Sequence, residues 1–138
     1  KDPTNEDTKY TRTKVRKMIE GFQDIGLEKD KLSLTIKNLK NSNEVILFYV
    51  EQNKKQNSFF NIKDHELILN ERFFKQPYEV VFRSFTDSLK LIGLMYNQVR
   101  GKKIDNILKK IEENKLYKET LGGCVIKRIN RTIIIQKE

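Results

Sequence analysis

The sequence predicts an α+β fold that is mainly α-helical, with a small antiparallel β element. Two observations lead to this prediction. Apolar residues recur at the helical spacings i, i+3 and i+4 in four successive segments. The last segment, residues 124–136, is instead rich in β-branched residues, which favour strands. We therefore expect a helical domain that ends in a β-hairpin.

The first two helical segments lie in the amino-terminal part of the chain. One stripe comes early, and its residues are Val15, Met18, Ile19, Phe22 and Ile25. A second helix is predicted over about residues 30–55, and the residues expected on its buried side are Leu32, Ile36, Leu39, Ile46 and Val50. We expect two domains, with residues 1–58 forming a junction and helical linker and residues 59–138 forming the second domain.

The second domain begins with a segment in which apolar residues alternate with other residues over short distances. Residues 59–69 predict two short strands or extended segments on either side of residues 63–65. Pro77 suits the start of a third helix, which should end near Gly93 or Tyr96. A fourth helix is predicted after Gly101. Two further strands should follow, joined by a turn at residues 130–131, because asparagine tolerates a positive φ.

Composition restricts the classes of function. The 138 residues are 37% hydrophobic and 34% charged, too apolar for a disordered tail. A single cysteine excludes a disulfide within the chain, and with one histidine it excludes a Cys/His zinc site. No apolar run approaches the ~20 residues of a membrane span, so we expect a cytoplasmic protein with no membrane partner. Since the chain begins Lys-Asp-Pro, we also expect a fragment of a longer protein.

The charge is strongly basic and unevenly distributed. Lys and Arg number 28 against 19 Asp and Glu, a formal net charge of +9. Residues 71–138 carry most of this surplus. Such a balance indicates a polyanionic partner such as nucleic acid, through attraction to phosphates and release of counterions. The alternative is a general bias towards Lys, Asn and Ile that is unrelated to binding.

No catalytic constellation is evident in the sequence. His65 is isolated, and we expect it to be an exposed turn residue. Cys124 lies at the start of an apolar strand, so we expect its thiol to be buried. Gly122 and Gly123 precede a strand rather than a helix, so they do not form a phosphate-binding loop. We therefore predict no catalytic residue and no metal site in this chain.

A polar cluster near the amino terminus is the strongest candidate binding site. Asp2 and Asn5 lie in a turn-like stretch that precedes Arg12 and Arg16, which are four residues apart and share one helical face. Two stacked guanidinium groups can bind phosphates, and Asp and Asn can hydrogen-bond to a base edge. The alternative is a capping turn followed by an ordinary arrangement of surface charges.

Three stretches of the chain resemble tRNA(Ile)-lysidine synthases. Residues 2–16, DPTNEDTKYTRTKVR, are similar to the family's D-x-[ST]-N…[YF]-x-R-x-x-x-R stretch, which follows its ATP-pyrophosphatase domain. Residues 120–126, TLGGCVI, and the short strand after them resemble the end of the shorter synthases. Residues 77–83, PYEVVFR, resemble the helix after the family's helical linker. The three stretches occur in the family's order.

The resemblance implies a carboxy-terminal part of an enzyme that uses ATP and Mg²⁺ to join lysine to the wobble cytidine of an isoleucine tRNA. In the family, an S-G-G-x-D-S loop binds the ATP phosphates, and this chain has no such loop. We therefore expect the isolated chain neither to bind ATP nor to catalyse the reaction. Asp2, Asn5, Arg12 and Arg16 match the family motif and would complete the site for the cytidine and the tRNA.

Residues 59–138 would then form the substrate- and tRNA-binding domain, with tRNA(Ile) and lysine as partners of the parent enzyme. Basic residues of this domain are predicted to follow the tRNA backbone: Arg83, Lys102, Lys103, Lys127, Arg128 and Arg131. Two alternatives remain, a non-enzymatic nucleic-acid-binding helical module and a protein-interaction or dimerisation domain. The sequence leaves the oligomeric state open.

Overall fold

A computed structural model describes residues 14–15, 18, 21–22, 26, 28–93 and 100–138. The chain divides into two compact units, Lys1–Asn43 and Glu44–Glu138. Among the described residues, none of the helices has the length and hydrophobicity of a transmembrane segment. The motif residues Asp2, Asn5, Arg12 and Arg16 lie outside the described residues, as do Ile19 and Ile25 of the first stripe.

Helix α1 spans Lys29–Asn57 and therefore contains the division between the two units. Asp30 lies in its first turn and Lys54 and Lys55 in its last, as the helix dipole favours. In the second unit, Val50, Asn53 and Asn57 are its buried residues. The Asn53 Nδ2 donates to Ser84 Oγ and to the Phe73 carbonyl oxygen, both at 3.2 Å. A buried amide with these partners fixes the helix in the core without an unsatisfied polar group.

The predicted buried side of this helix is wrong over its first half. In the first unit, Leu32, Ile36 and Leu39 are exposed by 37%, 56% and 66%. In the second unit Ile46 is half-buried, and Val50 is buried. Periodicity identifies an apolar face, but burial also requires a packing partner. Val15, Met18 and Phe22 of the first stripe are helical and also exposed.

The second unit contains one five-stranded sheet in which every neighbouring pair is antiparallel. Its strands are β1 (Ser58–Asn61), β2 (Glu66–Leu69), β3 (Lys118–Leu121), β4 (Cys124–Ile129) and β5 (Thr132–Lys137). The spatial order is β1-β2-β5-β4-β3. The predicted terminal hairpin, β4 and β5, is therefore extended on both sides. Strand β3 was not predicted.

Two helices cover one face of this sheet. A 3₁₀ helix, Glu71–Lys75, leads into α2 (Tyr78–Gly93), and α3 spans Gly101–Glu112. The core is built from both helices, the 3₁₀ helix and the inward sheet positions; fully buried examples are Phe73, Phe85, Leu69, Leu89, Ile104, Ile126 and Ile135. The third and fourth predicted helices and the α+β class are thus confirmed.

Two turns depend on left-handed backbone conformations. Gly122 and Gly123, with φ of +63° and +70°, form the two-residue turn between the paired residues Leu121 and Cys124. Asn130, with φ of +55°, begins the turn between β4 and β5, as predicted. The Gly122 carbonyl also approaches α2 closely, because an ideal Cβ on Gly93 would lie 2.1 Å from that oxygen.

Cys124 is fully buried, as predicted, and its Sγ donates to the Leu89 carbonyl oxygen at 3.3 Å. Burial, with a smaller contribution from the nearby Glu138 carboxylate, raises the pKa of this thiol from 9.0 to about 11. At pH 8 only about one thiol in a thousand would be ionised, and the thiolate is the reactive form. We expect no reaction with 5,5′-dithiobis(2-nitrobenzoate) in native buffer and one equivalent in guanidinium chloride. Rapid stoichiometric reaction of the folded chain would contradict this burial.

Candidate nucleic-acid interface

Many basic side chains of α3 and the sheet are paired with carboxylates. Among the described residues, five pairs involve the basic stretch 100–131: Lys109–Glu113 at 3.9 Å, Lys110–Glu119, Lys115–Glu113 at 2.6 Å, Lys127–Glu66 at 3.5 Å and Arg131–Glu71 at 3.9 Å. Exposed pairs of this kind contribute little to stability. They do reduce the charge that is available to a polyanion, so the residues outside these pairs define the candidate interface.

The amino-terminal end of α3 is basic and exposed. Arg100, Lys102 and Lys103 all lie there, and none has an ion-pair partner within the described ranges. The first turn contains no acidic residue, and Arg100 makes no side-chain capping bond. Cations at a helix amino terminus oppose the helix dipole. The structure therefore gives Lys102 and Lys103 no stabilising role, which leaves them available to an anionic partner.

Arg128 is held by the fold rather than free. Its Nη1 donates to the Ile111 carbonyl oxygen at 3.1 Å, and its Nε donates to the Asn130 carbonyl oxygen at 3.2 Å. Ile111 lies in the last turn of α3, where carbonyl groups lack partners within the helix. A guanidinium group at this end is also favoured by the helix dipole. Arg128 thus joins the end of α3 to the β4–β5 turn.

Lys127 and Arg128 do not form one patch with each other, because neighbouring strand residues point to opposite faces. Cys124, Ile126 and Arg128 share the helix-covered face, whereas Lys127 lies on the other face, which we call the open face. There the Lys127 ammonium group lies 3.5 Å from Glu66, whose carboxylate also accepts from Gln136. Lys127, Arg128 and Arg131, which are close together in the sequence, are therefore divided between two faces and a turn.

Arg131 lies in the β4–β5 turn, and 86% of its side chain is exposed. It lies near Glu71, whose pKa is lowered chiefly by its hydrogen bond and attraction to Lys75, with smaller effects of Arg131 and Arg128. Lys75 and Arg131 therefore share one carboxylate as their partner. Lys102 and Lys103 lie at the other end of α3 from Ile111, the residue that Arg128 contacts. A helical rise of 1.5 Å per residue puts about 14 Å between Lys102 and Ile111.

Arg83 is placed on α2, where its Nε donates to Glu79 Oε1 at 2.7 Å, one helical turn away. Its side chain is 34% exposed. This pairing is a common one on helix surfaces. Arg83 is therefore reachable from solvent but lies on a different helix from the lysines of α3.

A small cavity separates the edge of the sheet from the end of α2. Its volume is about 350 Å³, and it is lined by Phe60, His65, Leu91, Ile92 and Lys137. His65, in a left-handed turn conformation with φ of +51°, is exposed at its rim. The described residues hold no group of His, Cys, Asp and Glu side chains able to bind a metal ion.

The sequence did not predict the exposure of Tyr117 or the position of Lys118 on the sheet. Lys118 lies directly opposite Lys127 across β3 and β4, and Tyr117 precedes it with 91% of its area exposed. Their relation to Lys127 depends on strand β3. The stretch Lys118–Leu121, KETL, is short, and only Thr120 among its residues favours strands. The sequence signal that could have drawn attention to this segment is a tyrosine between two lysines, Lys115 and Lys118.

Comparison with known proteins supports one family. The chain is 25% identical over 142 aligned positions to a tRNA(Ile)-lysidine synthase of Wolbachia sp. subsp. Brugia malayi (strain TRS). It is also 25% identical over 141 positions to a tRNA(Ile)-lysidine synthase of Wolbachia pipientis wMel. Each alignment covers 99% of this chain and 32% of the relative, so the chain spans about a third of their length. No family model matches, and no solved structure matches significantly. Over nearly its whole length, therefore, this chain resembles tRNA(Ile)-lysidine synthases.

Proposed function

We propose that this chain is the tRNA-binding, carboxy-terminal part of a tRNA(Ile)-lysidine synthase. The parent enzyme would be a cytoplasmic ligase that uses ATP to join lysine to the wobble cytidine of an isoleucine tRNA. The observation that carries the proposal is the resemblance to two such synthases across 99% of the chain. The net charge of +9 and the exposed lysines of α3 agree with a polyanionic substrate.

The described residues do not fit a nucleotide site, so ATP and Mg²⁺ are assigned to the rest of the parent enzyme. The Gly122-Gly123 turn leads into strand β4 and not into a helix whose amide groups could bind phosphates. No acidic cluster suited to a metal ion is present in the described ranges. The proposed task of this part is therefore to bind and position tRNA.

Within this part, we assign tRNA backbone contacts first to Lys102 and Lys103. Both are exposed and unpaired among the described residues, and phosphate contacts position a nucleic acid without reading its sequence. Arg131 is a second candidate although it pairs with Glu71, because that contact is long, at 3.9 Å, and 86% of its side chain remains exposed. Arg83 and Lys127 each have a carboxylate partner, and Arg128 is committed to backbone carbonyl groups. These three would contribute less.

The double variant Lys102→Gln/Lys103→Gln tests this assignment. If both lysines contact phosphates, tRNA affinity falls, and the plot of log affinity against log salt becomes less steep by about 0.7–0.9 per contact. Filter binding of a tRNA(Ile) transcript between roughly 50 and 300 mM KCl measures this slope. Lys109→Gln/Lys110→Gln is a matched control on the same helix, since both residues are already paired with glutamates. Equal slopes for the two double variants would contradict the assignment.

The second candidate function is protein interaction, which the exposed apolar face of α1 favours. In the second unit, Val45, Phe48 and Tyr49 are exposed by 57%, 64% and 50%, at spacings that place them on one helical face. A dimer formed through this face would show a sedimentation coefficient that rises with protein concentration and falls after Phe48→Glu. A monomer at every concentration would exclude dimerisation.

A further inference from the structure

The cavity beside the last turn of α2 is built from four separate elements of the second unit. Leu91 and Ile92 line it from α2, and Lys137 lines it from the end of β5. Phe60 of β1 and His65, directly before β2, complete the lining. Its volume of about 350 Å³ lies in the lower part of the range of small-ligand pockets. The cavity is therefore suited to a single small group rather than to a long segment.

The wall of the cavity is apolar and reachable from solvent. Ile92 is only 7% exposed, whereas Phe60 and Leu91 are 41% and 63% exposed. The described part of the fold thus leaves an aromatic ring and an aliphatic side chain partly uncovered at one cavity. An exposed aromatic ring is a stacking surface that accepts any nucleobase, because every base has a π-face.

The polar side chains at the cavity are basic. Lys137 is exposed and has no ion-pair partner in the described ranges, and no carboxylate is among the lining residues. The carboxylates that adjoin His65 and Lys137 in the sequence have other surroundings. Asp64 accepts a hydrogen bond within its own turn at 2.7 Å, Glu66 lies on the open face, and Glu138 lies near the buried cysteine thiol. The cavity therefore combines an apolar wall with a rim suited to an anionic group.

The backbone conformation of His65 is unfavourable for a histidine. Its φ of +51° lies in the left-handed region, which glycine adopts without strain and most other residues avoid. The imidazole has no hydrogen-bond partner among the described residues, so the fold gains no polar contact from it. A strained residue whose side chain lies at the rim of a cavity indicates a task other than folding.

We propose that this cavity is a subsite for one unpaired nucleotide of an RNA. The base stacks on the Phe60 ring and packs against Leu91, and Lys137 and His65 hold the adjoining phosphate. Unpaired bases are recognised by stacking of this kind. Because the wall is partly exposed, the polar edge of the base can remain in contact with water. The inference rests on the proposed tRNA-binding function and specifies one nucleotide contact within it.

The probe for this subsite is a pair of RNA hairpins that each carry one bulged nucleotide. The bulge is an adenosine in one hairpin and an abasic nucleotide in the other, so both carry the same number of phosphates. We expect the chain to bind the adenosine hairpin at least fivefold more tightly, since stacking on an aromatic side chain adds roughly five- to hundredfold in affinity. Filter binding of both hairpins at one salt concentration measures the preference.

Two substitutions in the wall test where the base lies. Phe60→Ala removes the stacking surface and should abolish the preference, and Leu91→Trp should abolish it by filling the cavity. Phe59→Ala is the matched control, because Phe59 is also exposed but points to the other face of β1. It should leave the preference unchanged. Thermal unfolding verifies that each variant is folded.

Two substitutions at the rim test how the phosphate is held. Lys137→Gln should flatten the plot of log affinity against log salt by about 0.7–0.9. His65→Gly should weaken binding of the adenosine hairpin roughly two- to tenfold, while the Tm stays equal or rises because glycine relieves the backbone. Unchanged affinity in both rim variants would overturn the assignment of the phosphate.

The hairpins also separate this subsite from the function on which it rests. Equal binding of the two hairpins by the unaltered chain would overturn the subsite while leaving the tRNA-binding proposal standing. Failure to bind either hairpin would overturn both. A preference that survives in Phe60→Ala and in Leu91→Trp would place the base elsewhere and overturn the assignment.

Discussion

Replacing Arg12 or Arg16 by alanine in the full-length enzyme should lower kcat/KM for tRNA by roughly ten- to hundredfold. Both residues belong to the stretch that resembles the family's D-x-[ST]-N…[YF]-x-R-x-x-x-R pattern. Their spacing of four residues would place two guanidinium groups on one helical face, where each can bind a phosphate. One lost charge-assisted contact removes on the order of 1.5–3 kcal/mol, which corresponds to the predicted loss. Incorporation of labelled lysine at limiting tRNA measures it.

The control for this pair is Lys14→Ala. Lys14 lies between the two arginines, carries the same charge, and is helical and exposed. Because a residue two positions away does not share their helical face, this variant should retain nearly full activity. Thermal unfolding of all three variants should match that of the unaltered enzyme. Normal activity of both arginine variants at limiting tRNA would show that these residues are ordinary solvated side chains.

Gly93→Ala should destabilise the second unit by about 3 kcal/mol, equivalent to a fall in Tm of roughly 12–24 °C. A Cβ at this position would lie 2.1 Å from the Gly122 carbonyl oxygen and 3.1 Å from Cys124 Sγ. The first of these is a backbone atom in a turn that two positive φ angles fix. It cannot move aside as a flexible side chain could, so α2 and the β3–β4 turn must separate. Calorimetry of the variant measures the effect.

Gly101→Ala provides the comparison for this substitution. A Cβ on Gly101 would meet Phe82 Cζ at 3.6 Å, an ordinary van der Waals contact. Alanine is also the better residue within a helix, so this variant should be neutral or slightly more stable. If Gly93→Ala and Gly101→Ala melted at the same temperature, the close approach of α2 to the Gly122 turn would be disproved.

Local periodicity was sufficient to predict the helices of the second unit and the terminal hairpin. Helix α2 has its buried residues at spacings of three and four, and the β4–β5 turn contains an asparagine with positive φ. These signals act within a few residues of each other. The five-stranded sheet could not be predicted in the same way. It depends on pairing β2 with β5, whose partners Leu67 and Ile135 are far apart in the sequence.

The positions of the basic residues could be predicted only in part. Helical spacing correctly predicted that Lys102 and Lys103 are exposed, because Ile104, Ile107 and Leu108 occupy the inward positions. Sequence proximity was misleading for Lys127 and Arg128, since strand alternation separates them. The bond from Arg128 to the Ile111 carbonyl oxygen joins residues 17 apart, which no short-range pattern reveals. The cross-strand pair Lys118–Lys127 likewise required the register of β3.

The most direct test of the central proposal is lysine transfer by the full-length protein, with and without residues 44–138. We predict ATP-dependent incorporation of labelled lysine into an isoleucine tRNA with cytidine at the wobble position. We also predict that incorporation is lost when the second unit is removed. The absence of ATP-dependent incorporation by the intact protein, or full incorporation without the second unit, would contradict the account.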